Sequence, residues 1–370
     1  MSTEKTPSTR PKELRRAIES LVALAAGPDD SAKGDATDAE RKQRKLLIEE
    51  MVTTALGLHG EEVNMGELRL MRQALREMRA GFTMFGRYRT LRKVAVFGSA
   101  RTPEEHPDYG AAREFTRLLA LRHWMTITGA GPGIMQAGIE GPSAERAFGL
   151  CIRLPFEARP NPLIADDPKL LSFRYYFTRK LAFMGSADAV AAFPGGFGTQ
   201  DELFEALTLV QCGRNAVIPI VLVEGADGEG HPLGYWRQWE SFVRSAMFEN
   251  GWVSSEDEDF YDIVDSPAAA ADIVTGFYRR YRSSRYVGDR LVLRLDAPLG
   301  RAACGELTRE FALLLASGSM EEGTDLDGDD APAGTPRLWF RHNRKYFGLV
   351  RRLIDRINAI PHVGHAEAHA

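Results

Sequence analysis

Arg179 and Glu202 are the residues whose types and spacing are best suited to chemistry, a cation and a carboxylate on either side of a glycine-rich turn. That turn reads Pro194-Gly195-Gly196-Phe197-Gly198-Thr199 and follows an apolar run, 189–193, that predicts a buried strand. A helical pattern over 201–210 follows it. Small residues between a strand and a helix let backbone N–H groups approach a phosphate, and the helix terminus adds a favourable dipole. Two readings of Glu202 stand level on this segment alone. With Thr199 as helix N-cap, Thr199-Gln200-Asp201-Glu202 is a capping box in which Glu202 reaches back to the Thr199 amide. Alternatively, Glu202 faces a ligand. A phosphate here would repel Asp201 and Glu202 unless one of them turned toward a neutral part of the ligand. A ribose is such a part, and a carboxylate beside its anomeric carbon suits an oxocarbenium-like transition state.

Arg179 belongs to the aromatic and basic segment Ser172-Phe173-Arg174-Tyr175-Tyr176-Phe177-Thr178-Arg179-Lys180, which reads as the start of a helix. A core-packing helix with solvated cations competes with a role at the turn, and proximity to the next strand favours the turn. Lys180 is predicted to face elsewhere on the helix, being one residue on, although it is retained as a candidate nucleotide contact. Two further turns follow apolar runs. One is Gly98-Ser99-Ala100 and the other Gly129-Ala130-Gly131-Pro132-Gly133-Ile134-Met135. In a doubly wound sheet all three turns converge at the strand carboxyl ends. The expected contacts to nucleotide or phosphate are Gly98 and Ser99 from the first turn. Gly129, Gly131, Gly133 and Met135 come from the second, and Pro194, Gly195, Gly196, Gly198 and Thr199 from the third. Glu157, at the end of the run 148–154, is placed near base or ribose, with a solvated loop carboxylate as the competing reading.

Several chemistries lack their signatures. Ile134 stands where the dinucleotide fingerprint needs its third glycine, and no Gly-Lys-Ser/Thr follows any turn. The eight histidines show no metal-ligand spacing, and Ser99 has no recognisable His/Asp partner. No metal or cofactor is expected.

The elements that must position these groups read as follows. Residues 1–40 are polar and predict a mostly disordered tail with one short helix before Gly27. Residues 41–90 read as helices. Residues 91–280 repeat strand, turn and helix, with strands at 94–97, 125–128, 148–154, 189–193 and 218–223, which predicts an α/β, Rossmann-like doubly wound parallel sheet. Residues 281–370 read as a small α+β appendage, with strands at 290–295 and 337–340, helices at 306–316 and 347–357, and an exposed, mobile acidic loop at 321–335. Basic and aromatic residues interleave over 278–286 and 341–347; solvated helix faces or subunit contacts are favoured over RNA binding there. The chain of 370 residues carries a formal net charge of −4, so nothing draws it generally to nucleic acid or membrane. Three dispersed cysteines and a polar N-terminus lead us to expect a cytoplasmic protein.

At these residues the chain resembles the Lonely Guy (LOG) family of cytokinin riboside 5′-monophosphate phosphoribohydrolases, whose bacterial members were once labelled possible lysine decarboxylases. Pro194 through Glu202 match its P-G-G-x-G-T-x-x-E motif, Arg179-Lys180 its Arg-Lys element, and Gly129 to Gly133 its glycine-rich turn, with Ala130 replacing one glycine. The resemblance covers residues 90–280. It implies hydrolysis of a nucleotide to free base and ribose 5-phosphate, with Arg179 and Glu202 catalytic, no cofactor, and a homodimer or higher homo-oligomer. The terminal additions look more like the larger bacterial nucleotide nucleosidases, so AMP and a cytokinin riboside monophosphate are equal candidates as substrate. A nucleotide carrier or sensor on the same fold is the non-catalytic alternative.

Overall fold

The computed structural model describes residues 10–26, 38–153 and 161–361. The chain divides into two units, Met1–Gln73 and Ala74–Ala370. The first contains α1 (Arg10–Ala26), α2 (Asp38–Gly57) and the opening turns of α3 (Met65–Gly86). α1 runs 17 residues, so the helix expected before Gly27 is longer than the short one the sequence suggested. Residues 1–9 and 27–37 lie outside the described residues.

The second unit is built on a seven-stranded, wholly parallel sheet in the order β4-β3-β2-β1-β5-β6-β7. Its strands are β1 (Lys93–Phe97), β2 (Met125–Thr128), β3 (Ala147–Ile152), β4 (Leu170–Phe173), β5 (Ala189–Ala192), β6 (Ile220–Val223) and β7 (Tyr261–Val264). The short apolar runs become strands because both faces are covered. Val94, Val96, Ala189, Ala191, Val221 and Val223 enter one apolar cluster, while Ala95, Phe97, Val190, Ala192, Ile220 and Leu222 enter the other. Crossovers are α4 (Pro107–Leu121), α5 (Ile134–Glu140), α6 (Tyr176–Met184), α7 (Phe197–Gln211) and α8 (Tyr235–Val243), while α9 (Pro267–Gly276) follows β7 and packs against α4 and β6. The chain moves outward from β1 through β2 and β3 to β4, then returns to place β5 on the other side of β1. This reversal makes β1/β5 the switch point, and the crevice opens above their carboxyl ends.

β4 and β7 escaped the sequence reading. β4 is short and edge-placed with Ser172 interrupting it, and β7 carries Asp262 within YDIV, so neither shows an uninterrupted apolar run.

Residues beyond 280 form a four-stranded antiparallel sheet, β10-β11-β9-β8, from β8 (Tyr281–Val287), β9 (Arg290–Leu295), β10 (Leu315–Gly323) and β11 (Arg337–His342). α10 (Arg301–Glu310) and α11 (Phe347–Ala359) accompany it. Its Leu291, Leu293, Leu338 and Ile354 share one apolar cluster with Val94 and Val96, so this region packs as part of the second unit. Three expectations change here. Helix 306–316 ends early, since α10 stops at Glu310 and Leu315 already begins β10. The basic stretch 278–286 is mainly strand, with Tyr278 and Tyr281 buried and Arg282 and Arg285 paired with Asp296 and Asp330. The acidic loop is anchored: the Asp329 side chain is fully buried and is bound by Arg294 and Arg337. Burial alone would raise the Asp329 carboxyl, yet hydrogen bonds from those two arginines hold it at about 2.

Candidate functional site

The three glycine turns meet at the switch point. The Ser99 N–H donates to the Pro194 carbonyl (3.1 Å), and the Ile134 N–H donates to the Ser99 carbonyl (3.0 Å), so the second and third turns are both tied to the first. Gly133 adopts φ +65°, and a Cβ there would collide with the Ser99 carbonyl, so no other residue permits this approach. A Cβ on Gly195 would meet Thr199 Oγ1 and come within 3.0 Å of the Ser99 nitrogen. Ala130 takes φ +56°, the left-handed region that glycine tolerates better. Met135 folds its thioether against Gly129 and Gly131.

α7 starts three residues earlier than the capping-box reading requires. Its N-cap is Gly196 with no side-chain cap, Phe197 is the first helical residue, and Thr199 lies buried within the first turn. The capping box does not form, because Glu202 sits a further turn along. With no side-chain cap on this helix end, the Phe197 and Gly198 amides face outward to an anion, while the Thr199 amide donates to the Gly196 carbonyl (3.1 Å).

α6 brings Arg179 and Lys180 to α7. Its start is held by Glu77 of α3, a buried carboxylate that accepts from the Arg174 N–H (2.7 Å) and from the Thr178 hydroxyl (2.5 Å). Arg179 Nη2 stands 3.7 Å from Glu202 Oε1, and its guanidinium lies 5.1 Å from the Tyr176 ring centroid. A Cβ on Gly129 would approach Arg179 Nη1 to 3.6 Å, which places the guanidinium beside the β2 turn. Lys180 does not face away as helical phase alone suggests. Its ammonium lies 2.6 Å from Glu205, 2.9 Å from Asp201 and 3.6 Å from Glu202 Oε2. A long flexible side chain overrides the ~100° step between neighbours when three carboxylates line the adjacent helix.

The electrostatics follow from burial. Glu202 is 4% exposed, and burial pushes its carboxyl up; Lys180 and Arg179 oppose this, while Glu205 and Asp201 add to it. Burial disfavours the Lys180 ammonium, but Glu205, Asp201 and Glu202 outweigh it and raise its pKa. Two buried atoms of the pair, Arg179 Nε and Glu202 Oε2, have no hydrogen-bond partner. Buried polar atoms without a partner are uncommon in folded proteins, and each calls for an explanation such as strain, a catalytic role, a water or an ion.

The crevice also holds a cleft of ≈ 350 Å³ lined by Ser99, Arg101, Thr102, His106, Gly195, Gly196 and Tyr235 among others. It lies on the β6 side of the Pro194 turn, since its Asp108 binds the Gly225 amide (2.6 Å) that follows β6. Arg179 and Glu202 do not line it; they lie on the β2 side. The turn therefore separates a cleft from a buried ion pair. His106 caps α4, its Nδ1 accepting from the Asp108 N–H (3.2 Å), which leaves Nε2 as the ring donor. Tyr235 was not singled out in the sequence. Its hydroxyl donates to the Gly195 carbonyl (2.5 Å) and accepts from Gln200 (2.9 Å), bracing the turn from the start of α8, 40 residues later. No local pattern marks it. Glu157 lies outside the described residues. Among the described residues no group of three His, Cys, Asp or Glu is arranged to hold a metal, and no helix is long and apolar enough to cross a membrane.

Comparison with known proteins adds the following. Residues 132–274 match the family described as "Possible lysine decarboxylase". The pyrimidine/purine nucleotide 5′-monophosphate nucleosidase of Escherichia coli strain K12 is 29% identical over 155 residues, which covers 39% of this chain and 33% of the relative. The protein of that name from E. coli O157:H7 aligns with the same figures. The matched region thus spans about a third of the curated relatives' length. Among solved structures, the molybdenum cofactor binding protein of Rippkaea orientalis is 18% identical at TM-score 0.34, over 50% of this chain and 96% of that one. The molybdenum cofactor carrier protein of Chlamydomonas reinhardtii is 18% identical at TM-score 0.35, with the same coverage.

Proposed function

We propose that this chain, whose residues 132–274 carry the domain of the possible lysine decarboxylase (LOG) family, hydrolyses the N-glycosidic bond of a nucleoside 5′-monophosphate. The observation that carries the reading is the buried Arg179–Glu202 pair beside the uncapped start of α7, with a polar atom of each residue left unbonded. The nucleosidase names of the E. coli relatives support it.

In this reading the 5′-phosphate rests on the Phe197 and Gly198 amides at the start of α7 and extends into the cleft, whose lining includes the exposed cation Arg101. The ribose crosses the turn so that its anomeric carbon faces Glu202. Ionised Glu202 stabilises the positive charge that develops as the base departs, and it orients the attacking water. Arg179 holds the carboxylate in place. Lys180 favours the ionised form of Glu202, because its charge opposes the upward shift that burial causes. Gly98, Ser99, Gly129, Gly131 and Gly133 shape the floor, and Met135 packs beneath it. Exposed Tyr176, Phe177 and Leu181 on α6, with Phe197 at 96% exposure, support a homo-oligomer that covers this rim.

The family label itself suggests decarboxylation, which needs a lysine free to form a Schiff base. Lys180 is held as an ammonium by three carboxylates, Lys169 by both oxygens of Asp167, and Lys93 donates to the Tyr88 and Leu91 carbonyls at the opposite end of β1. All three are committed, which favours glycosidic cleavage. The test is to incubate the protein with a panel of nucleoside 5′-monophosphates, AMP and a cytokinin riboside monophosphate included. Free base and ribose 5-phosphate in equal amounts are expected from at least one. Bound nucleotide recovered intact from every one would replace this reading with a carrier.

A further inference from the structure

The second unit has a second concave site, on the far side of the sheet edge from the glycine turns. Arg76, Arg79, Thr83 and Arg87 follow one another at three- and four-residue spacing, so they share a face of α3 and the turn after it. With Tyr88, and with Pro168, Lys169 and Leu171 at the start of β4, they line a pocket of ≈ 410 Å³. That volume falls within the usual range for small-molecule sites.

The charge of this face is uncompensated. Arg76, Arg79 and Arg87 are exposed and make no ion pair with any described residue. Across α3 the sequence supplies four arginines against two glutamates, and one of these, Glu77, is buried and engaged with α6. Lys169 is buried in the pocket wall with its ammonium already on Asp167. It therefore acts as a fixed part of the wall, and the free donors are the three guanidiniums. Like charges on one helical face repel by about 0.2–0.5 kcal/mol per pair, and an anion among them would turn that repulsion into attraction. Guanidiniums also match phosphate oxygens in a bidentate way.

We infer that α3 carries a second anion site, distinct from the glycine turns, that takes a small phosphate-bearing ligand. The enclosing wall from Pro168 to Leu171 favours a compact ligand over a nucleic-acid strand, as does the net charge of −4 on the whole chain. The site stands on this geometry alone and holds whether or not the glycosidase reading does.

Inorganic pyrophosphate is the probe, with peptide-resolved hydrogen exchange of the full chain as the readout. Protection is expected over residues 76–88 and 167–171 in addition to any at the glycine turns. Arg79→Ala/Arg87→Ala should abolish that protection and weaken binding about a hundredfold, roughly tenfold for each guanidinium removed. Arg79→Lys/Arg87→Lys keeps the charge and the helix, and should retain protection with about tenfold weaker binding, since an ammonium cannot pair with phosphate through a two-pronged fork. Exchange elsewhere in the same map reports whether each variant is folded. The inference is overturned if protection is confined to the glycine turns, or if folded variants bind as the parent does. It is also overturned if a short single-stranded oligonucleotide displaces pyrophosphate and protects the whole exposed face of α3, which would make the face a nucleic-acid track.

Discussion

Replacing Glu202 by Gln separates the two things this carboxylate does. The side chain keeps its shape and loses its charge. Each cation near Glu202, at 3.7 and 3.6 Å, offers about 4 kcal/mol of attraction at an effective dielectric constant of ~20. Lys180 shares its charge with Asp201 and Glu205 at shorter range, so much of its attraction is already engaged. Burial then prevails, and the Glu202 carboxyl lies above its ordinary value. The sign for stability follows from linkage. A carboxyl raised in the folded state is favourable while protonated, and the advantage is lost as pH rises through its folded pKa. Glu202→Gln mimics the protonated form, so it should match the parent near pH ~4 and become the more stable protein as pH rises toward ~8. The expected gain is about 1–2 kcal/mol, the usual cost of a buried polar group that its partners do not fully satisfy. Base release should fall about 10²–10⁴-fold, the cost of losing a positioned charge-stabilising group. Urea denaturation at a series of pH values gives the first quantity and chromatographic assay of free base the second. A variant less stable than the parent at every pH would refute the electrostatic account. Base release at the parental rate would refute the catalytic one.

Other consequences are equally direct. Lys180→Met removes the larger opponent of the upward shift on Glu202, so the acidic limb of the kcat/KM profile should move up by about one pH unit or more, and an unmoved limb would show that Lys180 does not act through Glu202. Gly195→Ala puts a methyl against Thr199 and the Ser99 amide; displacing the turn should lower kcat/KM about 10²-fold while circular dichroism shows the fold retained. Asp329→Asn should cost about 2 kcal/mol at neutral pH. The carboxyl is held at about 2 against 3.8, so its contribution is present above ~4 and is lost as pH falls through about 2, a difference that denaturation at neutral pH and near pH ~2 would reveal.

Much of the fold was legible because it rests on local rules. Buried parallel strands need continuous apolar runs, so 94–97, 125–128, 189–193 and 218–223 could be placed to within two residues at either end. Strands broken by a polar residue, such as β4 at Ser172, or by a charge, such as β7 at Asp262, offered no such run, and only pairing with a neighbour makes them strands. β8 reads as a basic stretch until Asp296 and Asp330 arrive from other parts of the chain to neutralise its arginines.

The site divides in the same way. By itself the sequence determined the turn from Pro194 to Thr199, the helix after it, and the candidacy of Arg179 and Glu202, because residue type and spacing along one chain set backbone geometry. Only the tertiary structure decided that α7 begins at Phe197, which removes the capping box and leaves Glu202 buried. It also decided that Lys180 converges on Asp201, Glu202 and Glu205, that Glu77 sets the start of α6, and that Tyr235 braces Gly195. Each of these depends on side chains brought together from distant positions. Burial and charge neutralisation are properties of such assemblies, and no window of local sequence contains them.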